Sequence, residues 1–122
     1  MIKKYPNILK RKRQIYEAYK KELSDLTWLT LPAEKEYAKS ALHNYCVRLK
    51  NRDKLAAFLA DKGIATTVHY IPNNHYRMYR SFRAEIPVTE KVWKEMLNLP
   101  FHAELSNNEI DQIINAIRKF KA

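Results

Sequence analysis

The residues best suited to chemistry lie in one stretch, residues 68–80. It holds two histidines, three tyrosines, two arginines and two asparagines, just beyond an apolar run rich in β-branched residues. Arginine pairs with phosphate oxygens in a bidentate fashion, and histidine and tyrosine hydrogen-bond hydroxyl groups. If a helix begins near His75, then His75 and Tyr79 share one face with Arg80 close by. We therefore predict a ligand contact here; the alternative is a loop whose aromatic rings close the edge of the core.

Metal binding and nucleophilic catalysis find little support elsewhere in the chain. The histidines and the single cysteine show neither the i,i+4 nor the C-x-x-C spacing of a zinc site, so no metal site is predicted. Cys46 lies among apolar neighbours and is interpreted as a small buried hydrophobe. No serine stands in a G-x-S-x-G motif. Glu34 and Glu36 form the tightest acidic pair, which is interpreted as part of a charged loop.

Positive charge is concentrated near the start of the chain. Residues 1–21 hold eight lysines and arginines against Glu17 alone, which accounts for +7 of the net charge of +10. Clustered cations on one helix can bind nucleic acid by neutralising phosphates. The alternatives are a solvated helix face or one that docks on an acidic partner. No motif for binding RNA or DNA accompanies the cluster, so a free-standing basic module is only the second candidate function.

Length and composition limit the remaining possibilities. A chain of 122 residues with 46% apolar content forms one domain with a modest core. The single glycine, Gly63, excludes a glycine-rich phosphate cradle. The sequence has no apolar run long enough to span a bilayer and no signal-peptide segment after Met1. We therefore expect a cytoplasmic protein without a membrane partner.

Helical periodicity indicates four main helices, over residues 3–24, 52–62 and 87–97 and from residue 107 onward. Ser106 and Glu109 form the S-x-x-E capping box of the last helix, Asn51 is positioned to cap the second, and Gly63 to end it. Residues 73–83 are expected to be a loop that runs into a short helix. The apolar stripes place the following residues inward: Ile15, Tyr19, Leu55, Phe58, Val88, Val92, Trp93, Met96, Ile113 and Ile117.

Alternating polarity predicts strands at residues 41–49 and 64–71, with a short strand at 28–31. In the longest of these, Ala41, His43 and Tyr45 are expected to face the same side as Val47 and Leu49. Strands and helices in this mixed order are typical of an α+β domain, in which helices pack against a small sheet.

Motifs distributed along the whole chain carry a resemblance to a known family. They are residues 13–23, the N-R-D-x-L of residues 51–55, residues 62–80, the P-V-T-E of residues 87–90, the L-x-L-P of residues 97–100, and the L-S-x-x-E-I of residues 105–110. In this order and spacing they resemble the carboxyl-terminal part of the DegT/DnrJ/EryC1/StrS aminotransferases. These are pyridoxal-phosphate enzymes that aminate keto groups on nucleotide-linked sugars.

The resemblance implies a small domain with a mainly antiparallel sheet and four to five helices, like the carboxyl-terminal domain of a fold-type-I aminotransferase. In the family, the lysine and the turns that bind the cofactor lie in a large amino-terminal domain. It therefore implies that residues 1–122 form a single domain without that large domain, hold no catalytic residue and no cofactor, and are inactive alone. The implied partners are a large aminotransferase domain, or a second copy by self-association.

The resemblance also implies a substrate and the residues that contact it. The substrate of the complete enzyme would be a nucleotide-linked keto-sugar, as in the biosynthesis of amino sugars and surface polysaccharides. The contacts fall to His75, with Tyr79 and Arg80 beside it. His69, on the preceding strand, ranks below these three as a contact, and a structural hydrogen bond is its favoured role. Asn73 and Asn74 stand where many relatives carry an apolar residue or proline.

Overall fold

The computed structural model describes residues 2–82 and 84–122. In these residues the chain forms four α-helices, three 3-10 helices and one two-stranded sheet. The α-helices are α1 (Tyr5–Leu23), α2 (Arg52–Ala60), α3 (Pro87–Glu95) and α4 (Asn107–Lys119). The strands are β1 (Tyr45–Arg48) and β2 (Met96–Leu99), and the 3-10 helices span Ile2–Lys4, Asn73–His75 and Arg77–Phe82. This α+β architecture confirms the predicted fold class.

The sheet is antiparallel, and its register places Tyr45 opposite Leu99 and Arg48 opposite Met96. One isolated bridge flanks each strand: Thr30 pairs with Arg48, and Thr67 pairs with Asn98. The predicted strands at residues 28–31 and 64–71 are therefore wrong in extent, since each is reduced to a single bridge. Near the first bridge, Leu29 N–H donates to Leu26 in a turn, and Pro32 has no N–H with which to continue a ladder.

The predicted strand at residues 41–49 is also shorter than expected. Leu42 is buried with a φ of 54°, in the left-handed region, and Lys12 Nζ donates to the carbonyls of Leu42 and His43. This bend breaks the alternation, so Ala41 and His43 are exposed while Tyr45 is buried. The predicted orientation is therefore correct only from Tyr45 onward.

The third predicted helix ends two residues early, and the strand after it was not predicted. Met96 has an extended ψ of 140° and begins β2, because pairing with β1 outweighs the local preference for helix. Val88, predicted to face inward, is 75% exposed. Val92, Trp93 and Met96 are only half-buried.

The core brings the helices and the sheet together: α1 contacts α4, and α2 contacts both α4 and β2. Ile15, Tyr19, Leu55, Ile113 and Ile117 are buried as predicted, whereas Phe58 is half-buried. Tyr19 meets Tyr45 edge to face with ring centroids 4.9 Å apart, and its hydroxyl donates to the carbonyl of Pro100.

The helix-end signals in the sequence are confirmed for the most part. Ser106 Oγ accepts from Glu109 N–H, and the Glu109 carboxylate accepts from Ser106 N–H, which completes the capping box. Gly63 has a φ of +74°, which a residue with a side chain adopts only under strain. Asn51 precedes α2 as predicted, but its side chain makes no capping hydrogen bond.

Candidate functional site

Residues 69–82, called the aromatic segment below, connect the bridge at Thr67 with the loop before α3. Pro72 is buried, and the two 3-10 helices follow it, separated by Tyr76 in an extended conformation. The predicted helix from His75 is therefore replaced by two short turns. The predicted position of His69 on a strand is wrong, since regular pairing goes no further than Thr67. Arg83, the last residue of the predicted loop, lies outside the described residues.

The segment is held to α3 through His75. The Nε2 atom of His75 lies 2.6 Å from Glu90 Oε1, and Asn74 Nδ2 donates to the same oxygen at 3.4 Å. The imidazole also meets the Trp93 ring edge to face, with centroids 5.0 Å apart. The hydrogen bond from His75 lowers the pKa of Glu90; partial burial opposes this shift and the contact with Asn74 adds to it.

The outer face of the aromatic segment is apolar and cationic. Its large apolar side chains are exposed: Tyr70, Ile71, Tyr76, Met78, Tyr79 and Phe82. Arg77 and Arg80 are exposed as well. No acidic residue occurs between Asp61 and Glu85. The segment therefore offers aromatic faces and guanidinium groups together.

The predicted site residues fall on this one segment. Tyr79 and Arg80 lie on the second 3-10 helix and His75 ends the first. His69 stacks on Tyr70 with ring centroids 4.8 Å apart. The structure thus brings the four residues onto one segment, but their contact with a ligand stays a prediction.

Three polar atoms in and beside the segment are buried and have no hydrogen-bond partner among the described residues. They are His69 Nδ1, Asn74 Oδ1 and Trp93 Nε1. Buried polar atoms in folded proteins are nearly always paired. These atoms are therefore available to water or to a bound group. For His69, the structural hydrogen bond that the sequence favoured is not made by Nδ1 within residues 2–82 and 84–122.

Glu90 and Trp93 were not predicted as members of this site. The signal in the sequence was the P-V-T-E motif, which contains Glu90 but which by itself indicates only a helix start. Their position one turn apart on α3 places both beside His75. The site is therefore built from two elements rather than one.

Other chemistries find no support in the described part of the chain. There, no group of three or more histidine, cysteine or acidic residues could hold a metal ion. Cys46 is half-buried, and burial raises the pKa of its thiol, which disfavours the nucleophilic thiolate. Among the same residues, none of the helices has the length and apolar character needed to cross a membrane.

The basic helix α1 uses part of its charge within the domain. Arg11 donates to the carbonyl of Leu105 at 2.6 Å, and Arg13 pairs with Glu34 at 2.6 Å. Lys12 binds the bend at Leu42. These contacts tie α1 to the loops around it, so the clustered cations are explained in part by folding and the alternative of a free-standing nucleic-acid module is not supported.

Comparison with known proteins decides the family. The model of the DegT/DnrJ/EryC1/StrS aminotransferase family matches residues 1–118. The chain belongs to this family. The aminotransferase TlmJ from Streptoalloteichus hindustanus matches its structure with a TM-score of 0.90 at 30% identity, over 95% of this chain and 32% of TlmJ.

Two further relatives also match this chain over about a third of their own length. The dTDP-3-amino-3,6-dideoxy-alpha-D-galactopyranose transaminase of Aneurinibacillus thermoaerophilus is 26% identical, over 90% of this chain and 31% of its own length. A Streptococcus pneumoniae relative solved in its PLP form matches with a TM-score of 0.85 at 25% identity, over 98% of this chain and 34% of its own. The chain thus spans about a third of the length of the family members that it matches.

The described residues of this chain do not by themselves fit pyridoxal phosphate. The cofactor needs a partly desolvated lysine amine and an anchor for its phosphate. Every described lysine is exposed except Lys12, which is half-buried, and Lys12 Nζ already donates to the carbonyls of Leu42 and His43. No catalytic step is therefore assigned to these residues.

Proposed function

We propose that residues 1–122 act as the carboxyl-terminal small domain of a cytoplasmic nucleotide-sugar aminotransferase, inactive alone. The observation that carries this proposal is the match to TlmJ over 95% of this chain and only 32% of that protein. The part of the enzyme that corresponds to the unmatched two thirds of TlmJ would hold pyridoxal phosphate, whose electron-withdrawing ring makes transamination possible. The product would be an amino sugar for biosynthesis, as the name of the Aneurinibacillus transaminase suggests.

The aromatic segment is the part of this domain that would contact the substrate. A nucleotide-linked keto-sugar carries a diphosphate and a ring rich in hydroxyl groups. The guanidinium of Arg80 suits the diphosphate, since a bidentate arginine pairs with phosphate oxygens. His75 suits a sugar hydroxyl, and Tyr79 offers a ring face and a hydroxyl. His69 is the fourth proposed contact, supported by its buried and unpartnered Nδ1 atom.

The same segment would pack against the cofactor-binding region of the enzyme. Several of its apolar side chains are strongly exposed, among them Phe82 at 81% and Met78 at 73%. Exposed apolar patches of this kind mark interaction surfaces. Arg77 and Arg80 add positive charge at its centre, which favours a partner surface or ligand that carries negative charge.

A hybrid enzyme tests this function. This chain replaces the matched third of the Aneurinibacillus transaminase, and transamination is measured with dTDP-3-amino-3,6-dideoxy-α-D-galactopyranose. We expect the hybrid to be active and Arg80→Ala to raise KM by about 10- to 100-fold, the loss of one hydrogen bond to a charged group. His75→Ala should raise KM as well, and both variants should retain pyridoxal phosphate.

The matched control is Lys54→Ala, which removes an exposed cation from α2 and should leave KM unchanged. A folded hybrid that turns over substrate equally well with Arg80→Ala and His75→Ala contradicts the proposed contacts. A hybrid in which this chain does not assemble with the cofactor-binding region contradicts the proposed domain role.

A further inference from the structure

The contact between α3 and the aromatic segment extends the proposed role of His75, on which the following inference rests. We infer that Glu90 is a positioning residue for His75, and that it leaves Nδ1 as the ring atom that accepts a hydrogen bond from a ligand hydroxyl. The inference assigns a function to a residue outside the segment that carries the proposed substrate contacts.

The first step is the position of the proton between the two side chains. Nε2 of His75 and Oε1 of Glu90 are 2.6 Å apart, a distance typical of a charge-assisted hydrogen bond. An ionised carboxylate can only accept, so the proton between them is carried by Nε2. A neutral imidazole has one N–H group, and Nδ1 of this ring therefore presents a lone pair.

The second step is the orientation of the ring. Glu90 and Trp93 lie three residues apart on α3 and hence on one face of that helix. The carboxylate binds one ring nitrogen, and the Trp93 ring contacts the imidazole edge to face at 5.0 Å. Asn74 Nδ2 donates to the same carboxylate oxygen at 3.4 Å, which helps to hold the carboxylate in place. Two contacts from one rigid helix thus fix the imidazole.

The third step is the access of a ligand to Nδ1. The His75 side chain is partly exposed, at 32%, and within residues 2–82 and 84–122 no hydrogen bond to its Nδ1 atom is found. The group that this atom can bind is a donor, and a sugar hydroxyl is a donor of suitable size. The phosphates of the same ligand are hydrogen-bond acceptors, which suit the guanidinium donors of Arg80. His75 and Arg80 would therefore bind different groups of the ligand.

The histidine tautomers of this chain test the inference directly. Long-range ¹H–¹⁵N spectra are recorded at a pH at which the imidazoles are neutral, and His75 is assigned by the loss of its signals in His75→Gln. We expect the Nε2–H form of His75 to exceed the Nδ1–H form by at least about tenfold. In Glu90→Gln the ratio should fall toward that of the exposed His43 in the same spectrum.

The matched control is Glu95→Gln, which removes a carboxylate from the same helix. Glu95 pairs with Arg48 at 3.4 Å and does not contact His75, so this variant should leave the ratio unchanged. Should Glu90→Gln fail to fold, the parent chain alone decides the question, because a His75 ratio equal to that of His43 overturns the inference.

The hybrid enzyme separates this inference from the proposed function. We expect Glu90→Gln to raise KM by about tenfold with little change in kcat, and Glu95→Gln to change neither. If His75→Ala raises KM while Glu90→Gln changes neither KM nor the tautomer ratio, the role of Glu90 is wrong and the substrate contact stands. If Glu90→Gln shifts the tautomer ratio of His75 but neither Glu90→Gln nor His75→Ala changes KM, the proposed contact between His75 and the ligand is wrong. The acceptor role of Nδ1 is then wrong as well.

Discussion

A single carboxylate connects the aromatic segment with the helix beside it. Glu90 accepts from His75 and Asn74 through one oxygen, and its pKa is lowered chiefly by the first of these contacts. A depressed pKa in the folded state means that the contact stabilises the fold above the ordinary carboxyl pKa. This stabilisation is lost as the pH falls through the pKa of the folded state.

At this scale we predict that His75→Ala raises the pKa of Glu90 toward the ordinary glutamate value, because the main donor to the carboxylate is removed. The stability of this variant should accordingly fall less than that of the parent on acidification. Carboxyl ¹³C titration measures the pKa, and urea unfolding at several pH values measures the stability. Glu109 is an internal control, since its lowered pKa arises from Ser106 and should not move. An unchanged Glu90 titration would show that the contact with His75 does not form in solution.

Among the helices, α4 has the most complete start. Ser106 and Glu109 satisfy each other's backbone N–H groups, and the buried face that follows includes Ile110, Ile113 and Ile117. At its other end, Arg118 forms a bidentate pair with Asp25 just after α1. The helix is therefore fixed at both ends as well as along its apolar face.

We predict that Ser106→Ala lowers the free energy of unfolding by about 1 kcal/mol, the usual cost of losing a helix cap. Chemical denaturation followed by circular dichroism measures this change. Ser81→Ala is the matched control, because Ser81 is exposed on a 3-10 helix outside the α-helices and its loss should cost almost nothing. Equal effects of the two substitutions would mean that the capping box does not stabilise α4.

The sequence is informative about α-helices because their signals are local. The capping box of α4 and the glycine after α2, Gly63, could each be predicted from residues a few positions apart. The strands were predicted less well. β1 lies within the predicted strand at residues 41–49, but β2 was not predicted because its partner is far away in sequence, and the bend at Leu42 depends on Lys12 from another element. The candidate site was found only in part for the same reason: His75 belongs to a conspicuous stretch, whereas Glu90 joins it through folding.

At the scale of the whole molecule, the exposed face of the aromatic segment contrasts with the well-packed contact between α1 and α4. The segment makes few regular backbone pairs and carries the strongly exposed Met78 and Phe82. A surface of this kind favours association in water. Its positive charge opposes contact with a second copy of itself, so the attraction between copies should be modest.

We predict that the purified chain self-associates at high concentration, and that Met78→Ser with Phe82→Ser weakens this association without lowering Tm. Both side chains are exposed, so their removal leaves the core intact. Sedimentation velocity over a concentration series measures the association. Tyr37→Ser is the matched control, since Tyr37 is 89% exposed and lies outside the aromatic segment. A strict monomer at all concentrations would contradict the prediction.

We also predict that the chain alone forms no specific Schiff base with pyridoxal phosphate. Its described lysines are exposed, except Lys12, whose amine donates to backbone carbonyls. Absorbance after addition of the cofactor, followed by borohydride reduction and peptide mapping, measures this. Scattered, substoichiometric labelling is the expected result. Stoichiometric labelling of one lysine would show that these residues hold a cofactor site of their own.

The pairing of α1 with α4 has a consequence for how the molecule is made. Arg11 reaches the carbonyl of Leu105, 94 positions further along the chain, and α4 covers part of the apolar face of α1. During translation, that part of α1 therefore stays exposed to solvent until α4 has been synthesised. A truncated mRNA that ends before the codons of α4 would yield a chain in which this part of α1 stays exposed. Such a chain would be bound by chaperones or degraded by proteases.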